Sequence, residues 1–217
     1  MSSNLTIDAA ERSGAGGGAG PHIPHGGDRW GSGPSGAVPQ RAYMTGMILA
    51  LGAILMFFAA LVSAYIVRRG LSTGDWQPFA LPRILWLNTL ILVGSSFTLI
   101  RAHRSFLAQD TEGFRHFWGV TATLGVFFLA GQIIAWRQLV SAGLFLAANP
   151  AASFFYVFTV AHALHLLGGI AALVSVEFRT LRHLTLRSSV EIVSLYWHFM
   201  DALWLFLFMF LAVSART

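Results

Sequence analysis

No cysteine occurs among the 217 residues. That absence removes disulfides, thiol nucleophiles, thiolate zinc sites and cysteine-held iron–sulfur clusters. Lysine is missing as well, so all fourteen basic residues are Arg. Charge of either sign is scarce: 11% of the chain is charged, against roughly a quarter in a soluble domain, and 55% is hydrophobic. The net charge of +5 does not point to nucleic acid, because the arginines stand between apolar blocks, where loop charge sits. There is no Gly-rich phosphate loop, no Ser–His–Asp spacing and no hydrolase-like carboxylate pair. No residue is therefore assigned a catalytic or a metal-ligating role.

What is present divides in two. Residues 1–40 hold the run Gly14 to Gly20 and then Pro21, Pro24, Gly26, Gly27, Gly31, Gly33, Pro34 and Gly36. Such a segment has too little apolar surface to offset the entropy of ordering, which predicts a disordered tail. It carries no apolar run of signal-peptide length. His22 and His25 on so flexible a chain read as solvated rather than as metal ligands.

Residues 41–217 carry five apolar blocks, expected as spans at about 43–67, 84–100, 117–138, 152–176 and 192–215. About 20 residues of helix cross the roughly 30 Å of hydrocarbon, and lipid cannot satisfy free backbone groups. The expectation is an all-α integral membrane bundle of five transmembrane helices. Asn149-Pro150 marks a turn between the third and fourth spans. With five spans the tail shares a side with loops 101–116 and 177–191. That side holds Arg12, Arg29, Arg41, Arg101, Arg104, Arg115, Arg179, Arg182 and Arg187, and the other holds Arg68, Arg69, Arg83, Arg137 and Arg216. The positive-inside rule then places the N terminus in the cytoplasm and the C terminus outside.

Polar groups deep in these blocks are the candidate functional residues, because ionisable groups inside a membrane face a partner or a cavity. The fourth block contains His162 and His165, and the fifth contains Tyr196, His198 and Asp201, with Glu191 just before it. Counting helical rise places His165 about 20 Å and Asp201 about 15 Å in from opposite ends of antiparallel helices. The expectation is a hydrogen bond from His165, or from His162 on the same face, to Asp201, with His198 one turn away. Three chemistries can use such a cluster: an interhelical clasp, haem ligation by two histidines, or a proton path. The unequal depths of the histidines disfavour haem, and a single cluster does not join both faces of a bilayer. Asn88, Ser95, Ser96, Gln132 and Thr159 are expected as packing groups, and Trp76, Trp86, Trp118, Trp136 and Trp197 as interfacial aromatics. Phe154, Phe155, Phe158, Phe206, Phe208 and Phe210 read as lipid-facing or partner-facing.

The fourth block, Phe155-Tyr156-Val157-Phe158-Thr159-Val160-Ala161-His162-Ala163-Leu164-His165-Leu166-Leu167-Gly168-Gly169, resembles the paired-histidine helix of subunit III of haem-copper terminal oxidases. The fifth, with Tyr196-Trp197-His198-Phe199-Met200-Asp201-Ala202-Leu203-Trp204-Leu205-Phe206 after Glu191, is similar to that family's closing helix. Met56-Phe57-Phe58-Ala59-Ala60, running on to Ala64-Tyr65, resembles its methionine–phenylalanine–phenylalanine–alanine helix. The resemblance covers about residues 43–213 and matches the five-helix bacterial form. Where the family often has a glutamate, this chain has Ile54.

The resemblance implies a non-catalytic subunit of a respiratory oxidase that reduces oxygen and translocates protons, taking electrons from cytochrome c or quinol. The chain would hold no haem or copper itself; those groups would belong to partner subunits. It would dock on the catalytic subunit I, with subunit II, in the bacterial inner membrane. There it would bind phospholipid and support proton uptake and turnover stability. Arg68, Arg69, Arg179 and Arg182 at helix ends are the candidates for lipid headgroups. An accessory subunit of a nitric-oxide reductase and a stand-alone haem-b cytochrome remain as alternatives.

Overall fold

The structure, a computed structural model, describes residues 40–71, 76, 81–144, 150–182 and 187–214. The expected disordered tail lies outside these residues. Five helices follow in order: α1 Gln40–Gly70, α2 Ile84–Leu107, α3 Thr111–Ser141, α4 Pro150–Leu181 and α5 Arg187–Ser214. Each is long and apolar enough to cross a membrane. All five outrun the apolar blocks, because a helix continues through the headgroup region where charged side chains are solvated. Thus α2 carries Arg101 and Arg104 beyond the block that ends at Ile100.

Local chemistry sets the ends. Asp110 caps α3, its side chain accepting from Gly113 N at 3.0 Å, with Gln109 before it at φ 60°. At the other end Gly143 takes φ 79°, Gly143 N donates to Val140 O at 3.0 Å, and Leu144 N donates to Leu139 O at 3.0 Å. That is a Schellman termination, which needs glycine's freedom at the left-handed position. α4 opens on Pro150, whose missing N–H costs nothing in the first turn.

Helices α2, α3, α4 and α5 form a ring in which each packs on the next and α5 returns to α2, while α1 lies outside against α4 and α5. Thr89–Trp204 with Ser95–Trp197 between α2 and α5, and Trp118–Leu173 with Trp136–Thr159 between α3 and α4, run in opposite sense along the two helices and show these neighbours to be antiparallel. The ring is filled by aromatics. Trp118 and Trp197 are fully buried rather than interfacial, and Phe155 and Phe158 are likewise core rather than lipid surface. The reason is that an indole is large and apolar but has one donor, and inside this ring each finds an acceptor on another helix. Trp118 Nε1 donates to Leu173 O at 2.8 Å and Trp197 Nε1 to Ser95 Oγ at 3.0 Å. Trp86 and Phe206 do stand exposed, at 58% and 53%. Gly125 makes room for Trp197: a Cβ there would lie 2.6 Å from the indole.

Candidate functional site

The polar groups of α2, α4 and α5 fall at similar depths, but they do not gather into one cluster. The expected hydrogen bond from His165 or His162 to Asp201 is not formed. Asp201 Oδ2 instead accepts from Ser96 Oγ of α2. Asp201 is 5% exposed and its Oδ1 has no partner. Ser96 Oγ also lies 3.1 Å from His198 Nδ1. Since the Ser96 proton is given to the carboxylate, Nδ1–H of His198 donates to Ser96, producing a directed chain His198–Ser96–Asp201.

The histidines of α4 turn elsewhere because positions three residues apart diverge by about 60° around a helix. His162 is fully buried in the ring, its ring centroid 5.0 Å from that of Trp204 with the planes at 37°, and Phe128 edge-on at 5.9 Å between centroids. Neither of its ring nitrogens has a hydrogen-bond partner, nor does the amide of buried Gln132. His165 turns to α1, its ring 5.7 Å from Phe58 and 6.3 Å from Phe57. Its Nδ1–H donates to Ala161 O at 2.7 Å, and its own carbonyl accepts from Tyr196 OH at 2.8 Å. Glu191 accepts from Arg187 Nε at 2.7 Å in the first turn of α5. Arg68 and Arg69 end α1, Arg179 lies in the last turn of α4, and Arg182 follows it. These pairs are at opposite ends of the bundle.

The shared feature of this layer is interhelical polar pairing. Trp204 Nε1 donates to Thr89 Oγ1 at 3.1 Å, Trp136 Nε1 to Thr159 Oγ1 at 3.0 Å, and Thr98 and Thr121 hydroxyls meet at 2.8 Å. Lipid provides no hydrophobic drive for helices to associate, so close packing and such bonds do that work. No reacting centre is assembled by these contacts. Among the described residues no three metal-ligating side chains come together. His162 packs against Trp204 and Phe128, His165 turns to α1 and His198 is bonded to Ser96 of α2, so these imidazoles take different neighbours.

A family model described as cytochrome c oxidase subunit III matches residues 32–215. The chain belongs to the cytochrome c oxidase subunit III family. Similar proteins include a probable cytochrome c oxidase subunit 3 of Nocardia farcinica, 34% identical over 189 residues that cover 81% of this chain and 93% of that protein. The cytochrome c oxidase subunit 3 of Synechocystis is 35% identical over 76% of this chain and 72% of its own length. A probable cytochrome c oxidase subunit 3 of Mycobacterium tuberculosis is 34% identical over 75% and 83%. As a subunit III the chain is a non-catalytic membrane subunit of a respiratory haem-copper oxidase, a multi-pass protein without a redox group of its own. The nitric-oxide-reductase and haem-b readings are not favoured beside these relatives.

Sequence reasoning missed Ser96, Ser95 and Thr89 as partners. It paired α5 with α4 alone, whereas α5 also packs on α2. The signal was available: in an antiparallel α2–α5 pair, the polar residues Thr89, Ser95 and Ser96 fall level with Trp204, Trp197 and Asp201.

Proposed function

We propose that the chain stabilises the catalytic subunit I of its oxidase, beside subunit II, in a bacterial inner membrane, with its N terminus in the cytoplasm. The match to subunit III over residues 32–215 carries this reading. The arginine asymmetry between the two sides supports the orientation. Phospholipid headgroups meet Arg68 and Arg69 in one leaflet and Arg179 and Arg182 in the other, as guanidinium groups at the ends of spans suit phosphates. Tyr196, bonded to the carbonyl of His165, and His198 and Asp201, linked through Ser96, hold α5 in register with α4 and α2. The subunit supports proton uptake by the catalytic subunit rather than carrying out redox chemistry. Affinity purification tests the reading directly. The tagged chain is expected to bring down a haem-copper subunit, and the chain expressed alone to show no Soret band. A Soret band from the isolated chain, or a complex lacking a haem-copper subunit, would overturn it.

A further inference from the structure

Glu191, Ser194, His198 and Asp201 follow one another along α5 at steps of three or four residues, so they stack on one side of the helix. Facing them, α2 presents Ser96, His103 and Arg104. Between the two helices, at the end where Arg104 and Glu191 sit, lies a cavity of about 290 Å³ lined by Ile100, His103, Arg104, Glu191, Ser194 and His198. Ser194 is 9% exposed and its hydroxyl has no protein partner, although it borders this space. A buried hydroxyl without a partner, beside a space several times the roughly 30 Å³ of one water, has room for a water to satisfy it.

From the cavity the polar path continues inward through His198 Nδ1 and Ser96 Oγ, 3.1 Å apart, to Asp201, whose Oδ1 is buried without a partner. The path stops there. The next turn of α5 is Trp204, committed to Thr89, and the buried Leu207, Phe208 and Leu211 follow. Among the described residues, α4 turns His162 to Trp204 and His165 to α1, and α1 reaches α5 through Tyr65 against Phe210.

We infer that this cavity is a water-filled inlet through which Asp201 exchanges protons with the face bearing Arg104 and Glu191, and with that face alone. A hydronium ion reaching the cavity from the bath gives its extra proton to His198 Nε2 and is left as water. The Nδ1 proton passes to Ser96 Oγ, and the hydroxyl proton of Ser96 passes to Asp201 Oδ2. Reversal along the same atoms restores the starting state, so the device stores and returns a proton without moving it across the membrane. The inference concerns groups of this chain only, so it stands or falls separately from the identity of the partner subunits.

Infrared difference spectroscopy on the purified complex in lipid films tests it. Switching the bath from alkaline to acid buffer is expected to raise a carboxylic-acid C=O band that shifts in D₂O and is missing in Asp201→Asn. Ser194→Leu, which fills the inlet, and Ser96→Ala, which cuts the chain, are each expected to slow the band's response on the order of tenfold. An acid-induced spectrum unchanged by Asp201→Asn would overturn the inference. If that variant fails to assemble, the other two decide: a response as fast as in the unmodified complex contradicts the inlet, and a slowed one supports it.

Discussion

The four-helix ring and α1 are built on different principles. The ring ties its neighbours with polar pairs, among them Ser96–Asp201, Trp197–Ser95, Trp204–Thr89 and Trp118–Leu173, and 33–44% of each apolar window is buried. For α1 the figure is 11%. Aromatic contacts fasten it: Phe58 against His165, and Tyr65 wedged among Trp76, Phe154 and Phe210 at 5.0–5.4 Å between ring centroids. Its opposite end shows Tyr43, Ile48 and Leu49 at 56–69% exposure. The lesson is physical. Apolar side chains gain little by leaving lipid for protein, so a helix without shape-matched or polar contacts stays at the edge. The ring is the bonded part, and α1 is an apolar strut with a broad exposed face.

The largest way to break this contrast is steric. Gly125→Val should drive into Trp197 and lower the stability of the complex by about 1–3 kcal/mol, seen as a fall in its thermal midpoint. Trp204→Phe keeps most of the ring volume but removes the donor to Thr89. It should cost about 1 kcal/mol on the same scale. Phe58→Leu acts on α1 and should cost below about 1 kcal/mol, with hydrogen exchange quickening in α1 and not in α2–α5. His162→Met should have the smallest effect and the opposite sign, because it removes two buried nitrogens without partners from a site between Trp204 and Phe128. A clear loss of stability in His162→Met would show that those nitrogens are satisfied after all.

The sequence made the spans legible because charge is excluded from hydrocarbon, and the start of α4 at Pro150 because a helix accommodates proline in its first turn and not in its interior. It also singled out Asp201, His198 and Tyr196, each now seen in an interhelical bond. What it did not reveal is azimuth. Block length fixes the depth of Asp201 but not which neighbour it faces, and a small rotation of α5 exchanges α4 for α2. The buried places of Trp118 and Trp197 were hidden for a related reason. Position near a block end suits an interfacial indole and an interhelical donor equally well, and only the acceptors Leu173 and Ser95 distinguish them.

A double-mutant cycle combining Ser96→Ala with Asp201→Asn, and His165→Leu with Asp201→Asn, reads the register of the ring directly from thermal unfolding of the complex. Coupling of about 0.5–1.7 kcal/mol is expected for the first pair and additive effects for the second. Additivity between Ser96 and Asp201, with coupling between His165 and Asp201, would contradict that register.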